Sequence, residues 1–439
     1  MKATYVLCLS VVTMMAAGAG LPAASPPGAD ETQLPLVMHK AMKDRAHVTV
    51  GRHEGDMTGA DHRVLQAAVD YVAGLGGGTV EIGSGEFRLR DSLHLRPNVT
   101  VRGQGPATIL RKEKSAVSAL KLDGDYGEEQ VTLVNPAGFS VGDGVAIWDR
   151  NAGGFHTTVA RITGGDGDTF SISLPLNADF MVENGAQAAT VFPVISGYHV
   201  EGARVEDLTI EGNSEENVSL NGCRGGGIFL FRCPRAVLER CTVRHYHGDG
   251  ISFQQSNDVI VRQCTCESNA GLGLHPGSGS QRPIVSHCTA RNNGEDGLFL
   301  CWRVKQGVFE ENLLEGNGRY GISIGHKDTD NLLLRNHIRG NHEDGICFRN
   351  ESEGMAGHRN RLEHNLIENN GVDQEAAGIR VRGTTRDLIF RENTIRDTRP
   401  AGERRQTIGI KLEENVGTVA LEENTIEASE VLVDQRKSP

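Results

Sequence analysis

The sequence predicts an all-β solenoid: a coil of short parallel strands stacked turn upon turn, fronted by one helix and interrupted by a small antiparallel β insertion. Three observations carry that prediction. A phrase of glycine, branched apolar residue, any residue, apolar residue recurs from Gly227-Ile228-Phe229-Leu230 to Gly409-Ile410-Lys411-Leu412, with copies at Gly250, Gly271, Gly297, Gly321, Gly345 and Gly378. Successive glycines lie 23, 21, 26, 24, 24, 33 and 31 residues apart, a period that signals stacked repeats. Within each copy the apolar residues alternate, which is strand spacing. A second phrase keeps step, and its column reads Cys241, Cys264, Cys288, Asn312, Asn336, Asn365, Asn393, Asn424. A propeller blade would need about 40 residues. Units with room for two or three short strands fit one coil each, and each coil buries its apolar side against its neighbours. The Asn column is then an internal stack at a corner, its amides bonded to the turns above and below. Cysteine is its small apolar substitute in the earlier turns.

In chain order, Met1-Lys2, an apolar run from Ala3 to Ala17 and the small-x-small triplet Ala17-Gly18-Ala19 read as a signal peptide over 1–19. Residues 20–45, rich in Pro and Ala at their start, read as a flexible linker. Residues 46–129 form the N-terminal cap and first turns. Thr58-Gly59-Ala60-Asp61 offers a start for a helix whose apolar stripe is Val64, Leu65, Ala68, Val69 and Val72, and Gly74 to Gly78 stop it. Thr79-Val80-Glu81-Ile82 is an alternating strand, and Phe87-Arg88-Leu89 and Val99-Thr100-Val101 come after it. A helix laid across the open end of a coil shields its core. From 130 to 193 the rhythm breaks into alternating strands joined by Gly/Asp turns, an antiparallel β insertion. The repeats run over 194–430, and 431–439 is a charged tail expected to hang free.

The Asn column with glycine-led strands resembles the right-handed parallel β-helix of the pectate-lyase-like superfamily. The order of helix, Gly-Gly-Thr-Val strand, Gly-Glu-Phe and Val-Thr-Val-x-Gly resembles the N-terminus of rhamnogalacturonase-like and epimerase-like members. The resemblance implies a right-handed coil, and several reactions share that fold.

Composition narrows the partners. Net charge is −12 with no basic run, which argues against nucleic acid. The 55 glycines have no three-residue period, which excludes collagen. The leader places the chain in the periplasm or outside the cell, with no membrane span once it is cleaved. The expected partner is a polysaccharide and the expected state a monomer. Of nine cysteines, Cys8 falls in the leader. The remaining eight read as packing thiols rather than disulfides, and no Cys/His spacing suggests zinc.

With each glycine as position zero, positions two and four point outward. That places Gln254, His275, Arg349 and, just beyond the strands, Trp302, Arg303, His326, Lys327, Asp328 and Glu351 on one face. Turns stack about 4.8 Å apart, so these residues fall within roughly 15–20 Å of one another. Arg forks grip carboxylates and Trp stacks on sugar rings, so a basic patch on an acidic protein suits a polyanionic sugar chain. Elimination from a uronic acid, or its C5 epimerisation, needs a base and a cation beside the carboxylate. The candidate bases are His275, His326 and Lys327; the candidate neutralisers are Arg303 and Arg349. The resemblance to β-helix lyases implies Ca2+ as a further neutraliser, although no dense Asp cluster demands it.

A second set precedes the glycines. Asp249-Gly250 with Ser256-Asn257-Asp258-Val259 resembles the Asn-Thr-Asp-Gly stretch of polygalacturonase-type hydrolases, with Asp296 as paired acid and Tyr320 where their His is expected. Asp249 and Asp296 are two turns, about 10 Å, apart, close to the roughly 6.5–9.5 Å of inverting glycosidases. The sequence thus points to a secreted enzyme cleaving an acidic polysaccharide. Elimination leads because the patch is richer in His, Arg and Lys than in carboxylates. The alternatives are an inverting hydrolase, a uronate C5-epimerase and a non-catalytic glycan-binding surface protein.

Overall fold

The structure, a computed structural model, describes residues 43–436. The expected signal peptide, Cys8 and nearly all of the expected linker lie outside the described residues. From Ala46 onward, strands hand over in rotation among three long parallel sheets of 13, 11 and 11 strands. One turn shows the pattern. Val308–Glu310 lies in the first sheet, Leu313–Glu315 in the second and Ile322–Ile324 in the third. Each strand pairs in parallel register with its equivalents in the turns before and after.

The bends arise from local chemistry. Between the first and second sheets, each turn from Arg240 onward pivots on one residue in the left-handed region. Arg240, Gln263, His287, Glu311, Arg335, His364, Glu392 and Glu423 have φ between 51° and 54°. None is glycine, so the strain has to be held by neighbouring bonds. The predicted column, one residue further on, supplies them. Asn312, Asn336 and Asn365 are about 1% exposed, and each Nδ2 donates to the Oδ1 of the Asn one turn on at 2.9 Å. The same Oδ1 atoms also accept the backbone N–H of the preceding Asn. A second ladder, Asn269, Asn293, Asn317, Asn341, Asn370 and Gln406, does the same at the bend into the third sheet.

The eight described cysteines are unpaired, and Cys241, Cys264 and Cys288 stand in the first column as expected. Inside the coil, Ile322, Ile324, Ile346, Phe348, Ile379 and Val381 form part of one continuous core. Outside the second sheet, consecutive rungs read Glu211, Arg244, Glu267, Arg291, Glu315, Arg339, Glu368, Arg396 and Glu427. Alternating charge at strand spacing favours this register over a slip by one rung, which would oppose like charges.

The helix His62–Gly74 is capped by Asp61, which accepts the Arg63 N–H, and it buries Leu65, Ala68, Val69 and Val72 against the first turns. The antiparallel sheet has six strands and starts at Val117–Ala119, earlier than the expected 130, and its last strand is Gln187–Ala189. The tail is not free as far as it is described: Glu430–Asp434 pairs in parallel with Ile408–Leu412. Among the described residues no helix is long and apolar enough to cross a membrane.

Candidate functional site

The site stands on the outer face of the third sheet, where register decides which residues meet. Ser252 pairs with His275, and Phe299 pairs with Ser323, then Cys347, Arg380 and Lys411. The glycine of the His275 turn is therefore Gly273, not Gly271. Gly271-Leu272-Gly273-Leu274 satisfies the repeat at both offsets, and the strand Leu274–Gly277 takes the later one. His275 accordingly occupies position two, beside Phe299, rather than position four.

Asp249 precedes the strand Ile251–Gln254. Its Oδ2 lies 2.7 Å from His275 Nδ1, and its Oδ1 accepts the Leu272 N–H at 3.1 Å. A carboxylate only accepts, so Nδ1 carries the proton and Nε2 bears the lone pair. Nε2 is buried and has no hydrogen-bond partner. The His275 ring meets the Phe299 ring edge-on at 5.4 Å, and the Arg349 guanidinium lies 4.4 Å from the Phe299 ring centroid.

A loop over residues 213–226 covers the pair. A side chain at Gly222 would place Cβ 1.7 Å from Asp249 Oδ2 and 2.9 Å from His275 Nδ1, so only glycine fits against it. Ser252 Oγ donates to the Gly222 carbonyl at 2.7 Å, and Gln254 Nε2 donates to Ser252 at 2.9 Å. Strand alternation alone puts Gln254 at the surface; beneath this loop it is fully buried. Arg224 ties the loop to the insertion through the Phe155 carbonyl.

A second group lies further along the coil. Arg349 donates to Ser323 Oγ at 2.8 Å, to the Leu300 carbonyl at 2.7 Å and to Asp328 Oδ2 at 3.2 Å. Asp328, expected to touch substrate, is fully buried and accepts the Val304 and Gly325 N–H groups. Burial pushes its carboxyl up to about 7 against the pull of Arg349 and these backbone donors. His326 packs against Trp302 at 5.4 Å, and its Nε2 lies 2.8 Å from Glu351. Burial first, then Arg349, depresses it to about 4 despite that carboxylate, which makes it a poor base at neutral pH. Trp302, Arg303 and Lys327 are exposed; the Arg303 guanidinium lies 5.9 Å from the Trp302 ring.

The third group gathers around Asp296, Tyr320 and Asp344. Asp296 is fully buried, accepts the Tyr320 N–H, and keeps Oδ2 without a partner. Burial lifts it to about 6, with Arg319 4.0 Å away. Arg382 donates to the Tyr320 hydroxyl at 2.7 Å, and Arg380 clasps Asp344 with two bonds. The repeat phrase marked Arg380 and Arg382 only as outward positions; their convergence with Tyr320 and Asp344 depends on the register of the turns. The loop over 213–226 carries no repeat signal at all.

Known proteins share this architecture. The solved A-module of mannuronan C-5 epimerase AlgE6 from Azotobacter vinelandii superposes with a TM-score of 0.58 at 16% identity, covering 86% of this chain and 92% of that one. The chain is a right-handed parallel β-helix protein. The A-module of AlgE4 from the same organism gives a TM-score of 0.54 at 15% identity, over 86% of this β-helix and 94% of that chain. Mannuronan C5-epimerase AlgE2, also of A. vinelandii, is 23% identical over 302 residues, which is 69% of this chain but 22% of that protein. The family described as periplasmic copper-binding protein (NosD) matches residues 206–395. That description names copper. Among the described residues no group of three or more His, Cys, Asp or Glu could hold a metal ion.

Proposed function

We propose that this protein is an extracytoplasmic C5-epimerase of a uronate-containing polysaccharide, with His275 as the base that removes the C5 proton. The observation that carries this reading is the Asp249–His275 pair. Asp249 fixes the imidazole with its lone pair on Nε2, as a general base requires. Arg349, one aromatic ring away, is the neutraliser for the uronate carboxylate as charge builds on it. Tyr320, bonded to Arg382, is the acid placed to return a proton. The loop over Gly222 has to withdraw before sugar reaches Nε2.

Elimination and epimerisation share the first step and differ in the second. Return of the proton is favoured over loss of the glycosidic oxygen because the relatives in sequence and in fold carry the name mannuronan C5-epimerase. Hydrolysis by paired acids is less favoured, since Asp249 is committed to His275 and Asp296 is wholly buried. Incubation of the full chain with polymannuronate, polyguluronate or polygalacturonate in deuterated water tests the proposal. The expected result is deuterium at C5, with no unsaturated sugar and no new reducing ends, abolished in His275→Gln. Unsaturated ends would convert the reading to a lyase; no C5 exchange on any of the polymers would overturn it.

A further inference from the structure

A second chemistry-bearing cluster lies where the first turns meet the antiparallel insertion. A cavity of about 330 Å3 opens there, with Asp91, His94, Arg161, Ser196 and Tyr198 among its walls. His94 and Ser196 are register partners on neighbouring parallel strands. Ser196 Oγ lies 2.9 Å from His94 Nδ1, and His94 Nε2 lies 2.9 Å from Asp91 Oδ2. Asp91 also accepts from Arg161 Nε at 2.5 Å, and it is 2% exposed.

These partners fix where the protons sit. Burial opposes ionisation of Asp91, but His94 and Arg161 hold its carboxyl below the usual range. The carboxylate accepts, so His94 donates from Nε2, and Nδ1 is left as a lone pair. The Ser196 hydroxyl then has to give its proton to Nδ1. A hydroxyl aimed at a base, with the base oriented by a carboxylate, is the arrangement that activates a serine nucleophile. The main chain behind the base is held as well, since the His94 backbone N–H donates to Gln66 Oε1. Arg161 is bound to Asp91 only through Nε, and its half-exposed guanidinium presents its remaining N–H groups at the cavity wall.

We propose that Ser196, His94 and Asp91 form an acyl-ester hydrolase centre for a small carboxylic ester carried on a sugar hydroxyl. Ser196 Oγ bonds to the ester carbonyl carbon as its proton passes to His94 Nδ1, and the carbonyl oxygen takes up negative charge facing Arg161. The carbon–oxygen bond to the sugar breaks, and the sugar oxygen takes the proton from His94. Water then attacks the acyl-serine with His94 again as base, which releases the carboxylic acid and restores Ser196. No oxidant or cofactor enters. A cavity of this size holds roughly one sugar ring and a short acyl group. His94 and Ser196 share the outward column that continues through Phe229 and Ser252 to His275. The sugar half of the substrate therefore rests on the polysaccharide reading above, while the ester chemistry stands on the cluster itself.

The test uses the full chain with a fluorophosphonate probe and with p-nitrophenyl acetate. The expected result is a label mapped by peptide mass to Ser196, and ester turnover that falls at least about a hundredfold in Ser196→Ala. Asp91→Asn keeps the label site but lowers turnover and shifts its pH profile. Circular dichroism and C5 deuterium exchange check that Ser196→Ala remains folded and otherwise active. An unlabelled Ser196 in the wild-type chain, or ester turnover unchanged in Ser196→Ala, overturns the assignment. Absence of C5 exchange in the wild type sinks the epimerase reading alone, because the ester assay does not depend on it.

Discussion

Replacing Asn336 by leucine, which keeps the number and branching of heavy atoms in the side chain, removes one rung of the amide ladder without opening a cavity. Asn336 Oδ1 accepts the Asn312 N–H at 3.1 Å and Asn312 Nδ2 at 2.9 Å, and its Nδ2 donates to the Phe309 carbonyl at 2.9 Å; its fourth bond, to Asn365 Oδ1, leaves no orphan because that oxygen keeps the Asn336 backbone N–H. All three partners are buried and water cannot replace the lost bonds. Each orphaned group costs about 1–3 kcal/mol. The buried leucine returns about 2 kcal/mol, which leaves a net loss of about 4 kcal/mol. Because turns contact only their neighbours, the damage stays local. Urea unfolding monitored by circular dichroism gives the total, and native-state hydrogen exchange locates it at the strands Val308–Glu310 and Leu332–Leu334. A loss below about 1 kcal/mol would refute the claim that amide bonds hold the left-handed bends in place.

The site yields three further expected outcomes. His326 is held near 4, so its folded form binds the proton less tightly than the unfolded chain does; stability falls as pH drops from 6.5 toward 4, and a ring resonance titrating at or above 6.5 by NMR would contradict this. Asp296 is the opposite case, lifted from 3.8 to about 6, so the stability it contributes is present below 3.8 and is lost as pH rises past 6. Asp296→Asn is expected to gain about 1–3 kcal/mol over wild type at pH 8 and nothing at pH 3, measured by urea midpoints. Gly222→Ala forces Cβ into the Asp249 carboxylate; faster proteolysis within residues 213–226 is the expected sign of a displaced loop, and an unchanged cleavage rate would show that the loop absorbs the methyl group.

Much of the fold is legible in the sequence. The column from Cys241 to Asn424 announced a buried stack, because an amide recurring once per turn is hard to explain on a surface. The cap was legible too: Leu65, Ala68, Val69 and Val72 at helical spacing have only one place to bury. The register of the His275 turn was not, since Gly271 and Gly273 both fit the repeat, and only pairing with Ile251–Gln254 chooses between them. Gln254 and Asp328 were expected to face substrate. Alternation gives the direction of a side chain and not what covers it, and both are buried. The second ladder, from Asn269 to Gln406, was hidden because its members sit in variable Asn/Gly bends rather than beside an apolar phrase.

Periodicity is a local property, and so the chain alone determined that it coils and that one column, from Cys241 to Asn424, forms an inner stack. Proximity across turns is not local. The meeting of Asp249 with His275, of Arg349 with Phe299 and of His94 with Ser196 depends on loop lengths and on a register that no single repeat contains. Only the assembled coil, with the Gly222 loop folded over it, decided which charged groups are working neighbours and which are part of the frame.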